Sequence, residues 1–572
     1  MPYRWVYSEP SRAEYAYNLQ QELKIPAEIA QLLSLRGINN YEQAKSFFRP
    51  EKKSLHDPFL MKDMEKAACR LSDAIRNHHK VVIYGDYDVD GTTAVSIMYT
   101  FLQRFGLDVD YYIPHRFKEG YGINPDGIKY SIEKNADLIV SVDCGITAIE
   151  EARYAKEQGL DLIICDHHNV GDQLPDALAV LDPKRHDCKY PFDGLSGAGV
   201  GFKLVQATTQ KLGLPESVAN QFLDLVAISI ASDIVPIVDE NRILMRMGLE
   251  LINTSPRTGL RALLNKINLP IGNITTSSIV FSIGPRINAA GRMGDATSAV
   301  ELMITNDETE AVRYANELDS INSTRKDTDT ETMTQAMDMI DREFNLDNLS
   351  AMVLHNPEWH LGVIGIVASR LVDAHYRPAI MLSTVDGKIK GSARSIKGFN
   401  IYDALKECED LLEQFGGHEF AAGLTMDICN LEEFRSRINR IAHDILTDND
   451  FTPEIEIDSD LELSKIDVKF WKLLTQFEPF GPGNSRPVFV SRDVCVEGVP
   501  TIVGNGHLKM KVKQNGSPVF DAIGFNMHHY EPHLRNCRHD KVDLAYVLEE
   551  NFWNGRRTIQ MRLKDIHIEQ RN

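Results

Sequence analysis

Residues 81–91 read VVIYGDYDVDG, an apolar run that meets Asp86, Asp88 and Asp90 at every second position before Gly91. In an extended chain alternate residues share one face. Three carboxylates on one face repel one another unless a cation sits among them. An Asp-rich turn closing a strand would use the same residues. Further chemistry-bearing residues follow: Asp143 in SVDCGIT, then Asp166, His167 and His168 in CDHHN, then Asp233 in ISIASDIVPI. Taken singly, CDHHN could be a polar surface turn and ASDIVP a helix end. Brought together, several carboxylates and one imidazole form an oxygen-rich set with one nitrogen donor. Such a set suits Mg²⁺ or Mn²⁺, and the histidine tilts it towards Mn²⁺. Two such ions about 3.5–4 Å apart can hold an attacking hydroxide and stabilise the leaving oxygen of a phosphodiester.

The elements that must position these residues are legible in outline. VVIYGD (81–86), VDYYIP (109–114), DLIVSVD (137–143), LDLIICD (160–166) and ALAVLD (177–182) are short apolar runs, each followed by polar or helix-spaced sequence. This pattern predicts a parallel α/β sheet. Asp86, Asp143, Asp166 and Asp182 close four of the runs, and open parallel sheets gather ligand chemistry at the carboxyl ends of their strands. Residues 1–60 are expected to be a helical lead-in, from PAEIAQLLSLRG and NYEQAKSFF. Residues 307–344 are highly charged, helix-spaced and free of proline and glycine. They predict either one connecting helix of roughly 57 Å or two helices broken near Asn322. A second α/β unit runs from AMVLHN through VIGIVASRLVDAH to RPAIML and on to about 447, and the strand-rich tail 452–572 suits a small β-barrel.

The 572 residues allow three or four domains. Apolar residues make up 43% and charged residues 25%, as in ordinary globular proteins. No apolar window is long enough for a membrane span, and the first residues lack the apolar stretch and cleavage site of a secretory signal. Eight cysteines without a CxxC pair fit a reducing cytoplasm and argue against a zinc site or disulfide scaffold. The net charge of −20 argues mildly against a nucleic-acid partner, but a local basic groove can outweigh a global balance.

GDYDVDG, SVDCGIT, CDHHN and ISIASDIVPI, in that order, resemble the motifs of the DHH phosphoesterase superfamily. The whole chain resembles its RecJ branch of single-strand-specific 5′→3′ exonucleases. The resemblance implies a parallel-sheet DHH domain at 61–305, preceded by the lead-in at 1–60. A helical connector at 306–345, a smaller α/β DHHA1 domain at 346–447 and an OB-like β-barrel at 452–572 would follow. It implies catalytic roles for Asp86, Asp88, Asp143, Asp166, His167, His168 and Asp233, with two Mn²⁺ or Mg²⁺ ions. Asp143 matches the residue that bridges both ions. Asp88, His167 and Asp233 match the other ligands of one ion and Asp86 a ligand of the second. Asp166 and His168 match positions behind the ligands or facing the phosphate. Many relatives carry a histidine four residues before the first aspartate, where this chain has Val82. Asp90 stays open as ligand, acceptor or turn residue.

Arginine takes phosphate through bidentate, charge-assisted bonds. GPRINAAGRMG (284–294), read as a glycine-rich loop, offers Arg286, Asn288 and Arg292, and YYIPHRFKEGYG offers Arg116. KGSARS supplies Ser392 and Arg394, and FGGHEFAAG supplies His418. By resemblance, Arg116, Ser392 and Arg394 would seat the 5′ end and Arg292 would grip the phosphate near the cut. In the tail, Lys509, Lys511 and Lys513 alternate, with Phe552, Trp553, Arg556 and Arg557 beyond. These residues suit sequence-tolerant strand binding or a lysine-guarded edge strand. The expected function is metal-dependent hydrolysis of single-stranded DNA from its 5′ end to mononucleotides. It would serve repair and recombination, in a cytoplasmic monomer working with a helicase and a single-strand-binding protein and with no membrane. The alternative is a DHH/DHHA1 phosphoesterase for short oligoribonucleotides, cyclic dinucleotides or nucleoside bisphosphates. A non-enzymatic scaffold, as in replication-helicase relatives that have lost their metal ligands, does not suit a chain that keeps all five.

Overall fold

The structure, a computed structural model, describes residues 3–9, 13–343, 349–536, 541–553 and 556–568. Its chain divides into two units, Lys52–Thr447 and a second that combines Met1–Glu51 with Asp448–Asn572.

The first unit opens with helix α1 (Met64–Asn77), strand β1 (Val81–Gly85), helix α2 (Val89–Gln103) and strand β2 (Val109–Tyr112). Strand β3 (Leu138–Val142), strand β4 (Asp161–Cys165) and strand β5 (Ala179–Leu181) follow. The five strands make one sheet in the order β2-β1-β3-β4-β5, every pairing parallel. Every residue of β1 and of β3 is buried, as continuous Val/Ile runs covered on both faces should be. Gly85 stands opposite Val142, and Val142 opposite Cys165. Asp86, Asp143 and Asp166 therefore leave three neighbouring strands at one level. Helix α3 (Gly197–Lys211), helix α4 (Leu223–Ser232) and helix α5 (Gly284–Met293) complete this lobe.

Helix α6 (Glu308–Glu343) runs for 36 residues without a break at Asn322, about 54 Å of helix. Ala311, Ala315 and Leu318 pack into the core of the first lobe, and Ala336 and Ile340 into that of the second. One charged-looking helix is thus pinned at both ends by small and branched apolar residues. In the second lobe, strand β6 (Met352–His355), helix α7 (Leu361–His375), strand β7 (Ala379–Val385) and strand β8 (Lys388–Arg394) precede strand β9 (Leu412–His418) and strand β10 (Ala421–Asp427). The sheet order is β9-β10-β8-β7-β6, with only β6–β7 parallel.

In the other unit, strand β11 (Phe489–Val503), strand β12 (His507–Lys513), strand β13 (Phe520–Gly524), strand β14 (Lys541–Trp553) and strand β15 (Arg556–Ile568) form a sheet. Pairing of β11 with β14 closes it into a barrel, which removes the open edges that such strands would otherwise expose. The N-terminal residues are helical as expected, at Ala13–Leu23, Ala27–Leu35 and Tyr41–Phe48. They are not a lead-in to the first lobe. Leu19, Ile29, Leu33 and Ala44 share a core with Phe470, Phe477, Phe489 and Tyr546, and Arg4–Tyr7 pairs in parallel with Glu454–Ile457. Apolar faces with no neighbour in sequence found partners more than 400 residues away. Among the described residues no helix is long and apolar enough to cross a membrane.

Candidate metal centre

The three alternating aspartates do not share a strand face. Strand β1 stops at Gly85, and Asp88 caps helix α2, its Oδ1 accepting from Gly91 N at 3.0 Å. An aspartate at a helix start satisfies an orphan backbone N–H, and this preference wins over strand continuation. Gly91 is required at the turn, because a Cβ there would stand 2.4 Å from the carbonyl oxygen of Asp86. Asp90, in the first turn of α2, is buried. Its carboxylate accepts from Gly197 N (2.6 Å) and Ala198 N (2.8 Å) at the start of α3, and from Ser229 Oγ (2.7 Å) on α4.

Asp143 leaves β3 with φ of 61°, in the left-handed region. Its carboxylate meets the imidazole of His167, Oδ1 to Nε2, at 3.2 Å. The same Nε2 lies 3.5 Å from Asp233 Oδ2 and 3.7 Å from Asp90 Oδ2. Three overlapping groups could each hold a metal ion: Asp86–Asp88–Asp143, Asp90–His167–Asp233 and Asp143–His167–His168. Asp143 links the first to the third and His167 the third to the second. Asp90, which the sequence reading left open, belongs in the cluster.

Polar atoms here lack protein partners. Asp86 Oδ1, Asp143 Oδ1, both ring nitrogens of His167 and Asp233 Oδ2 are buried with no hydrogen bond. Burial, then the charge of Asp88, pushes Asp86 well above the carboxylate range. Burial followed by Asp90 and Asp88 does the same to Asp143, and raises Asp233 to about 9. Burial and Asp90 raise Asp88, while burial holds His167 below its ordinary value. Crowded acids whose charge burial disfavours, beside an imidazole whose protonation burial disfavours, are what a divalent cation satisfies. The donor set fits Mn²⁺ or Mg²⁺.

Asp166 plays a different part. Its Oδ2 accepts from Ile146 N at 2.8 Å, and its Oδ1 from His167 N at 2.7 Å and the Nδ1 of His168 at 2.7 Å. Burial works upward on its carboxyl, but the bond and charge of His168 outweigh it and hold Asp166 low. Despite burial, the same contact lifts His168. Asp166 therefore shapes the turn and aims His168. Tyr121 was not singled out from the sequence. Its hydroxyl lies 3.1 Å from the ring nitrogens of His168 and donates to the carbonyl of Asp143 at 3.1 Å. The only sequence signal was a tyrosine between two glycines, both of positive φ. Asp182, the fourth strand-end acid, accepts from Lys184 N and belongs to none of these groups among the described residues.

A cavity of about 290 Å³ is lined by Asp86, Tyr87, Asp88, Arg116, Tyr121, Ser232, Asn288 and Arg292. A second, of about 540 Å³, shares Tyr87, Arg116 and Arg292 and adds Ser392, Arg394, Lys390 and the Gly416–Gly417 pair. Among the described residues Arg116, Arg292 and Arg394 form no ion pair with a carboxylate. Burial and the charges of Arg116, Arg394 and Arg325 push Arg292 down to about 10. Burial and Arg116 lower Arg394, whose Nη1 donates to Ser392 Oγ at 2.9 Å. Arg116 lies over the ring of Tyr87, 5.0 Å from its centroid. Unpaired, crowded guanidinium groups are an anion site.

Some expected contacts fall elsewhere. Residues 284–294 are not a loop: Gly284–Met293 is helix α5, with Pro285 in its first turn. Its glycines serve close packing, and a Cβ on Gly291 would stand 2.4 Å from the carbonyl oxygen of Tyr87. Asn288 lines the smaller cavity and accepts from Val89 N at 3.1 Å. Arg286 points away, bonding Asp319 at 2.9 Å and the carbonyl of Ser282 at 2.7 Å. Two residues apart on a helix point to nearly opposite sides. His418 is exposed at the tip of the β9–β10 hairpin and lines neither cavity. In the barrel unit, Lys509, Lys511 and Lys513 share the exposed face of β12, over buried Leu508, Met510 and Val512. Glu497 and Asp521 stand opposite Lys511 on the flanking strands. Phe552 is exposed beneath Arg557. The side chains of Trp553 and Arg556 lie outside the described residues.

Fold and centre together define a DHH phosphoesterase with an appended OB barrel. The family models for the DHH family N-terminal domain, the DHHA1 domain and the RecJ OB domain match residues 80–230, 348–444 and 457–565. The chain belongs to the RecJ family. It is 39% identical over 568 residues to the single-stranded-DNA-specific exonuclease RecJ of Bacillus subtilis, covering 99% of this chain and 71% of that one. Against the Escherichia coli protein of that name identity is 32%, over 95% and 96% of the two chains. The crystal structure of Thermus thermophilus RecJ in complex with Mn²⁺ superposes with a TM-score of 0.83 at 29% identity, over 99% of this chain and 79% of that one. The Mg²⁺ complex of the same protein gives 0.77 at 27% identity, over 99% and 78%.

Proposed function

We infer that this chain hydrolyses single-stranded DNA from its 5′ end, releasing mononucleotides with the help of two divalent ions. The observation that carries this reading is the shared wall of Tyr87, Arg116 and Arg292 between a cavity lined by Asp86 and Asp88 and an arginine-lined one. In this reading Asp86, Asp88, Asp143, His167 and Asp233 would hold the ions, and Asp90 is fixed alongside by its three donors. When bound, the ions lower the pKa of an attacking water and stabilise charge on the departing oxygen. Arg292 holds the phosphate at the cut, while Arg116, Ser392 and Arg394 receive the terminal 5′-phosphate. Asp166 keeps a proton of His168 on Nδ1, and the Tyr121 hydroxyl, 3.1 Å from Nε2, steadies the other edge of the ring. Residues 61–305 thus carry the chemistry, 306–345 join the lobes and 346–447 supply Ser392 and Arg394. The barrel at 452–572, which shares a core with the N-terminal helices, binds single strand on Lys509, Lys511 and Lys513. We further infer a cytoplasmic monomer in repair and recombination, fed by a helicase and a single-strand-binding protein.

The test is Mn²⁺-dependent release from 5′-labelled long single strands, compared with the matching duplex and with dinucleotides. Fast release of labelled mononucleotide from the long single strand supports the reading. Preference for dinucleotides would favour the oligoribonucleotide or cyclic-dinucleotide phosphoesterase instead.

A further inference from the structure

The two most exposed large apolar side chains among the described residues are Phe281, at 78%, and Ile234, at 75%. Both belong to segments that wall the metal cavity. Ile234 follows Asp233 and lies two residues beyond Ser232, which lines that cavity. Phe281 sits in a π-helical turn, Ile279–Ile283, that runs directly into helix α5. The two segments touch, since a Cβ on Gly284 would stand 2.8 Å from Ser232 Oγ.

Helix register extends the relationship. Pro285, Asn288 and Arg292 are spaced by three and four residues, one face of a helix, and Phe281 lies in the π-helical turn that leads into it. Asn288 and Arg292 line the cavity. Phe281 precedes Asn288 by seven residues, about 10 Å along the axis at roughly 1.5 Å per residue. Ile234 also has a φ of 61°, which a β-branched residue adopts only with strain. A strained, solvent-facing isoleucine two residues from the Ser232–Gly284 contact and an exposed phenylalanine three residues from it gain nothing from their own fold.

Order along the cavities says what could cover it. Ser392 and Arg394 line only the larger cavity, and Asp86, Asp88 and Ser232 only the smaller, with Tyr87, Arg116 and Arg292 common to both. A strand with its terminal phosphate at Arg394 and its scissile phosphate at the carboxylates would leave past Ser232. Resting on the function inferred above, we propose that Phe281 and Ile234 form an apolar rim that takes the nucleobases from the third nucleotide onward, on the 3′ side of the cut. Base–aromatic stacking is tolerant of sequence, as exonuclease progress along a strand requires.

The experiment measures KM with Mn²⁺ for 5′-phosphorylated single strands of two, four, eight and twelve nucleotides. Phe281→Ala should raise KM about five- to thirty-fold for the longer strands and leave the dinucleotide unchanged, while Phe281→Trp restores the unaltered value. Ile234→Gly should act in the same direction while raising the melting temperature. Abasic sites three to five residues from the 5′ end should weaken the unaltered enzyme as much as Phe281→Ala does, and should weaken that variant no further. Normal KM values for long strands in Phe281→Ala, or equal loss on dinucleotides, would overturn the rim alone. An unaltered enzyme that cuts only dinucleotides would overturn the inferred function and the rim together.

Discussion

Gly291 lies against the main chain of Tyr87 so closely that a Cβ on it would stand 2.4 Å from the Tyr87 carbonyl oxygen. That contact seats the helix carrying Asn288 and Arg292 against the turn carrying Asp86 and Asp88. Gly291→Ala must push the two apart, because the obstructing atom is backbone. The expected result is at least a tenfold fall in kcat with a modest loss of stability, read from steady-state rates and urea melts on the same sample. Wild-type kcat in a folded Gly291→Ala protein would show that the seating does not matter.

Metal removal makes stability depend on pH. Asp86, Asp88 and Asp143 have raised pKa values in the folded protein, and Asp233 is raised to about 9. Between the ordinary carboxylate range and about 9 the folded state binds more protons than the unfolded one, so its stability falls as pH rises. In EDTA the melting temperature should drop from pH 5 to pH 8.5. With Mn²⁺ the drop should shrink, since the cation replaces the protons. A metal-free protein that gains stability over that range would contradict the crowding of these acids.

Asp143→Asn removes one acid from the crowded cluster and keeps a residue that tolerates positive φ. Turnover should fall at least a thousandfold, Mn²⁺ affinity should weaken in calorimetry, and the metal-free melting temperature at pH 8 should rise. The split between lost activity and gained stability separates a functional acid from a structural one.

Two arginines predicted together for the nucleic-acid surface should part company. Arg394→Ala should raise KM for 5′-phosphorylated strands by about ten- to a hundredfold, the scale of a lost charge-assisted bond, with a smaller effect on 5′-hydroxyl strands. Arg286→Ala breaks a part-buried pair with Asp319, costing on the order of 1 kcal/mol of stability and leaving KM unchanged. Chemical denaturation and KM measured on both variants decide the matter.

Tyr121→Phe deletes only the hydroxyl that reaches His168 and the Asp143 carbonyl. Its expected signature is a three- to thirtyfold lower kcat with KM for the strand unchanged, because the contact aims groups around the reaction rather than the DNA. A rise in KM with constant kcat would place Tyr121 on the strand instead.

The strand runs were readable because a parallel sheet buried on both faces demands continuous branched apolar residues, and each run ends in a residue free to be an acid. Periodicity likewise marked α6 as helical, but its unbroken length rests on Ala311 and Ile340 finding two different cores. Three matters were decided only by tertiary structure. Asp88 left the strand for a helix cap because the N–H of Gly91, three residues on, needed an acceptor, and Asp90 turned to the start of α3 because the backbone donors of Gly197 and Ala198, far away in sequence, needed one. Arg286 and Arg292 share a motif yet serve different ends, since helix register separates their directions and Asp319 claims one of them. The N-terminal helices joined the barrel unit because their apolar faces matched a surface that composition cannot reveal. Residue chemistry and spacing name the groups able to hold a metal; which atoms are left without a partner, and so are free to do it, is a property of the packed chain.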